Sequence, residues 1–151
     1  MEQSETALYG GLESLKEGKV VAIVPIGISM LPFINGGEDR VYLLKKENVE
    51  VGDIVLVNYK GKHILHRVYA FDGERIRLMG DGNLVGSEWV LEEEVLGTAV
   101  EIEHDGRRRK PSKAWLWRKL LPCRGILLKV HRKWTKLKGV HNNNKQKDNK
   151  L

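Results

Sequence analysis

The apolar positions of this chain come in short runs. Each run is closed by Gly, Pro or an Asp–Gly pair, the punctuation of strands joined by tight turns. VVAIVP (20–25) reads as a buried strand rich in β-branched residues. RVYLLK (40–45), IVLVNY (54–59), HILHRVYAF (63–71), RIRLMG (75–80) and VLGTAVEIE (95–103) follow as further strands. Lys60-Gly61-Lys62 makes a short turn between IVLVNY and HILHRVYAF. Asp72-Gly73 predicts a type I′ hairpin, because both residues accept positive φ. Five or six short strands connected in this way predict a mainly β fold, a coiled, mostly antiparallel sheet or partly open β-barrel. Ahead of them, Ala7, Leu8, Leu12 and Leu15 recur at helical spacing. Residues 4–17 are therefore expected to form a short helix docked on the core, with Ser4 its cap and Gly18 its stop.

The pattern changes at Gly106. RRRKPSK (107–113) reads as a charged linker. AWLWRKLL (114–121) and GILLKVHRKWTKL (125–137), separated by Pro122, read as two basic amphipathic helices. HNNNKQKDNKL (141–151) is polar and of low complexity, and no order is expected of it. The organisation predicted is an N-terminal helix over 1–18, a β domain over 19–105, a basic helical extension over 106–139 and a disordered tail over 140–151.

Composition adds constraints. With 151 residues and 41% hydrophobic content there is material for one core. The net charge of +6 hides a division: residues 1–106 carry 10 Lys/Arg against 19 Asp/Glu, and residues 107–151 carry 16 against 1. In the basic part Trp115, Trp117 and Trp134 and their aliphatic neighbours alternate with Arg118, Lys119, Arg124, Lys129, Arg132 and Lys133. That mixture suits first an anionic membrane surface contacted by residues 112–138, then packing on the acidic β domain, and least of all nucleic acid. The first 19 residues have no basic start followed by an apolar core, so no secretory signal is expected. No window reaches the ~18 apolar residues of a membrane span. The expected location is cytoplasmic, peripheral on the inner membrane face. The lone Cys123 excludes an intramolecular disulfide and reads as a small apolar filler.

The residue that asks for chemistry is Ser29, set between Gly27 and Pro32 directly after the first strand. A serine at a strand-to-loop exit can present its hydroxyl and its backbone N–H to the same side, as acyl transfer requires. A serine hydroxyl needs a base within about 2.6–3.2 Å, and His66 is the candidate; alternation along its strand puts His66 with Ile64 and Val68 and sends Leu65 and Arg67 to the other face. Asp81, in a Gly-rich turn, would orient the histidine and stabilise its imidazolium.

Four ordered boxes, G-x-S-M-x-P (27–32), V-G-D-I-V (51–55), H-R-V (66–68) and G-D-x-N (80–83), resemble those of the signal peptidase superfamily, which also holds the SOS-repressor peptidases. The resemblance spans residues 20–100 and implies a serine endopeptidase on a signal peptidase/LexA-like β-barrel. It implies catalytic Ser29, His66 and Asp81 and substrate contacts from Gly27, Met30 and Pro32, with no cofactor and no metal. Bacterial-type members pair serine with lysine, whereas endoplasmic-reticulum and archaeal types have histidine in the third box, as here; Lys60 and Lys62 lie outside that box. The histidine type often carries a further acid beyond the fourth box, where this chain reads Leu84-Val85-Gly86-Ser87-Glu88, so Glu88 is the nearby replacement. The implied substrate is a peptide or precursor protein bound extended between the strand of His66 and the segment before Ser29. Small side chains at the cleavage site follow from the resemblance alone. A peptide-binding or regulatory module with weak or absent catalysis is the alternative, because that acid is missing from its usual place.

Overall fold

In the computed structural model, residues 10–120 and 123–148 are described, with the side chains of the last helix as far as Lys136. The chain before residue 10, including Ser4, lies outside them. Residues 10–16 are helical (α1), and Leu15 is fully buried in the core. Gly18 ends the helix as predicted: Gly18 N–H bonds the Leu15 carbonyl at 3.0 Å and Lys19 N–H the Ser14 carbonyl at 2.9 Å, the paired bonds of a Schellman stop.

Eight strands form one antiparallel sheet that is not closed. They are β1 (Val21–Ile23), β2 (Arg40–Leu44), β3 (Ile54–Tyr59), β4 (Lys62–Asp72), β5 (Arg75–Met79), β6 (Glu88–Leu91), β7 (Val95–His104) and β8 (Arg107–Arg109). Their spatial order is β1-β2-β7-β3-β4-β5-β6, with β8 also paired to β7. Registers shift within the β2–β7, β3–β7 and β4–β5 ladders, and each such irregularity bends a strand and sharpens its twist. The sheet thus curls enough to bury both faces of its central strands. Ile54 and Leu56 enter one cluster with Leu15, Met30, Ile34, Val41, Leu43 and Leu65. Val55 and Val57 enter a second with Val68, Ile76, Leu78 and Val90. This double burial is why IVLV is an unbroken apolar run.

Several expectations are corrected. VVAIVP is not a buried strand but an edge strand of three residues, with Val20 56% and Val24 49% exposed. The charged linker contains β8: Arg108 pairs with Glu101 and Glu103 and stacks on Tyr42, so its charge is met across the sheet instead of opposing it. The two-residue I′ pattern occurs at Lys60–Gly61, with φ of 50° and 78°, between the paired Tyr59 and Lys62. In the second hairpin Asp72 pairs with Arg75, so Gly73–Glu74 are central. Only Gly73 takes positive φ, which a I′ turn does not allow.

Beyond the sheet lie α2 (Trp115–Lys119) and α3 (Arg124–Asp148). The α3 backbone runs into the segment from 140 where no order was expected, since extending an existing helix fixes one residue per added bond and needs no new nucleus. Cys123 is exposed and fills no core position. Among the described residues, no helix is long and apolar enough to cross a membrane.

Candidate active site

The loop after β1 is pinched shut at its base. Gly37 N–H bonds the Pro25 carbonyl at 2.7 Å, and Gly27, at φ +95°, lies directly against Gly36, where an added Cβ would come within 1.9 Å of the Gly27 oxygen. Two glycines are therefore a steric requirement of this loop. Within it Phe33 and Ile34 N–H both bond the Met30 carbonyl at 3.0 Å, which seats Met30 and Ile34 in the core and leaves Ser29 half-buried above them.

The turn 80–83 supports this loop from beneath. Gly82 N–H donates to the Ser29 carbonyl at 2.7 Å, and Asn83 N–H closes the turn on the Gly80 carbonyl at 3.0 Å. Gly82 and Asn83 thus shape the turn.

β4 runs beside the serine loop. It pairs with β3 along its first half, but its pairing with β5 begins only at Arg67, so among the described residues the far edge of His63–His66 carries no strand. That edge and the segment following β1 form the walls of a cleft of about 360 Å³ whose lining includes Ile23, Val24, Ile26, Gly27, Ser29, Met30, His63, Leu65 and His66. Ser29 and His66, 37 positions apart in sequence, therefore share one cleft. No hydrogen bond joins Ser29 Oγ to the His66 ring among the described residues; in a free site such a bond often tightens only when substrate binds. Gly27 and Met30 line the cleft, Met30 from a buried position. Pro32 is outside the lining, and the next residue, Phe33, meets Trp117 edge-on at 5.9 Å. Neither Lys60 nor Lys62 lines the cleft.

The acid beside His66 is not Asp81. His66 Nδ1 lies 2.9 Å from Glu88 Oε2. Asp81 is instead held by Arg67: Nε reaches both carboxylate oxygens at 2.8 and 3.0 Å and Nη2 reaches Oδ2 at 2.7 Å, with both side chains fully buried. The faces of the sheet account for this. Val68, Leu78 and Glu88 form one lateral row across β4, β5 and β6, and His66 is two residues from Val68, so His66 and Glu88 share a face. Arg67 points the other way, is paired with Met79, and meets the turn that follows β5.

Arg67 also donates through Nη1 to the carbonyls of Gly52 and Ser112 at 2.8 and 2.6 Å, and its guanidinium lies 5.1 Å from the Phe33 ring centre. Trp117 Nε1 donates to the Asp81 carbonyl at 3.0 Å. Asp81 thus ties Arg67 of β4 to the turn whose Gly82 N–H holds the Ser29 carbonyl.

In the tautomer whose Nδ1–H donates to Glu88, Nε2 carries the ring's free lone pair. The cleft then offers a hydroxyl, an imidazole oriented by a carboxylate and an unpaired strand edge. No protein-family model matches the chain, and no curated protein matches it.

Proposed function

We propose that the chain is a serine endopeptidase of the signal peptidase type, working on the cytoplasmic side at a membrane surface, and that its open sheet is a partly closed barrel of that kind. The observation that carries this reading is the cleft shared by Ser29 and His66, with Glu88 on His66 Nδ1. In it, His66 takes the Ser29 proton as the hydroxyl attacks a peptide carbonyl, Glu88 stabilises the imidazolium, and His66 returns the proton to the leaving amine; a water deprotonated by His66 then cleaves the Ser29 ester and frees the acid product. The substrate adds as a strand along the unpaired edge of His63–His66. Main-chain bonds supply affinity, and Val24 and Ile26, 49% and 95% exposed at the opposite wall, contact alternate side chains.

The test is cleavage of a peptide library, read by mass spectrometry with wild-type protein and Ser29→Ala. Discrete cleavage products from wild type alone are expected. Equal cleavage by both proteins removes Ser29 from the mechanism, and peptide binding by an inert wild type replaces the peptidase with a peptide-binding module.

A further inference from the structure

α3 has three sides. Arg124, fully buried, reaches the Tyr69 hydroxyl and the Trp117 carbonyl and lies against both aromatic rings; Leu128 is 3% exposed. One and two turns further on, His131 and Thr135 line a depression with Gly27, Ile28 and Leu31 of the serine loop. At 3.6 residues per turn these four positions make one stripe, the side that packs on the β domain. A second stripe, Ile126, Leu127, Val130 and Trp134, is 71%, 41%, 61% and 58% exposed. The third, Lys129, Lys133 and Lys136, adjoins it and is exposed throughout.

Packing on the protein therefore uses one side of the helix, and Ile126, Leu127 and Val130 remain exposed on another, bordered by cations. Just upstream, Trp115 and Leu116 are 60% and 61% exposed, and Lys119 lies 4.1 Å from the Trp115 ring centre. Residues 112–136 contain eight Lys/Arg and no Asp/Glu.

We infer that the outer side of α2 and α3 is a docking surface for an anionic phospholipid membrane. An apolar stripe edged by lysines lies in the plane of a bilayer interface, its aliphatic chains in the acyl boundary and its ammonium groups at the phosphates. Tryptophan belongs at that boundary, its body apolar and its indole N–H wet. Nucleic acid would draw the same charge but gives no partner to the exposed Ile126, Leu127 and Val130, whose spacing is that of a helix face and not of bases along a strand. The inference rests on the membrane-surface part of the proposed function and names its partner; attachment is measured without cleavage, so its failure leaves the peptidase part standing.

The experiment uses the full chain with sedimented vesicles of neutral phosphatidylcholine alone or mixed with phosphatidylserine. Two variants carry changes on exposed positions only: Lys129→Glu/Lys133→Glu/Lys136→Glu, and Ile126→Ser/Val130→Ser. Circular dichroism verifies that each keeps its fold. Wild type is expected to pellet with anionic vesicles and not with neutral ones, and to be released as salt rises. The charge variant should lose partitioning by at least about a hundredfold, at about fivefold for each of the three cations removed with the repulsion of the new carboxylates added, and the apolar variant by about tenfold or more. Absence of pelleting, equal pelleting with neutral vesicles, or unchanged partitioning of either variant overturns the inference. So does tight binding of a single-stranded oligonucleotide that the apolar variant keeps while vesicles bind neither protein.

Discussion

Asp81→Asn and Glu88→Gln should fail in different ways. Asp81 and Arg67 are both fully buried, and the carboxylate accepts three charge-assisted contacts of 2.7–3.0 Å. Removing one partner of a buried pair costs about 3–5 kcal/mol, because the remaining charge stays desolvated. Asn keeps the shape and one acceptor oxygen, and the Gly52 and Ser112 carbonyls still hold Nη1, so the lower end applies, about 3 kcal/mol. For a chain of this size 1 kcal/mol moves Tm by about 2–4 °C, so Asp81→Asn should melt roughly 6–12 °C lower. Well below that temperature it should retain most of its peptide hydrolysis, since the carboxylate does not touch His66. Glu88 is the reverse case: its side chain is 20% exposed and its partner is the imidazole. Glu88→Gln should change Tm little and lower kcat by about 10²–10⁴-fold, the range contributed by a well-positioned acid–base pair. Thermal denaturation followed by circular dichroism, with hydrolysis rates taken well below both transitions, separates the two. The reasoning is refuted by an unchanged Tm with lost kcat in Asp81→Asn, or by wild-type kcat in Glu88→Gln.

Two further outcomes follow from local geometry. Gly36→Ala places a methyl 1.9 Å from the Gly27 carbonyl oxygen, against backbone that cannot swing aside, so the serine loop must open; hydrolysis should fall sharply and Tm should drop by several degrees, as for an overpacked core. His104 is held above the usual histidine range by its hydrogen bond to Asp39, with the charges of Asp39, Asp105 and Glu38 adding to it. A raised pKa contributes stability that is complete below the unfolded value, about 6.5, and is lost as pH rises through the folded one. The Tm difference between wild type and His104→Asn should therefore be largest near pH 5–6 and shrink above neutrality. A difference independent of pH contradicts this.

The strands with strong apolar patterning, IVLVNY, HILHRVYAF, RIRLMG and VLGTAVEIE, were legible to within a residue or two, because double burial and regular alternation leave few other solutions. β8 was not, since three arginines carry no apolar signal, and the groups that meet Arg108, Glu101 and Glu103 on β7 and Tyr42 on β2, come from elsewhere in the chain. β6 was missed because Glu88-Trp89-Val90-Leu91 is short and follows an exposed loop, and with it went the lateral row that puts Glu88 beside His66. That Ser29 and His66 line one cleft could be anticipated from their boxes; the carboxylate that contacts His66 could not, because it depends on which face of β4 each neighbour occupies. Alternation did place Arg67 opposite His66, and combined with the Arg67–Met79 register it assigns Asp81 to the arginine. The serine loop's second glycine, Gly36, had no signal beyond its residue type.

The measurement closest to the central claim is a double-mutant analysis of peptide hydrolysis, with kcat/KM determined for wild type, Ser29→Ala, His66→Ala and the double variant. A nucleophile and its base act as one unit, so each single change should cost nearly as much as both together, leaving the double variant within about tenfold of either. Losses that multiply, or a His66→Ala variant that hydrolyses like wild type, would contradict the proposal that these two residues form one catalytic unit across the cleft.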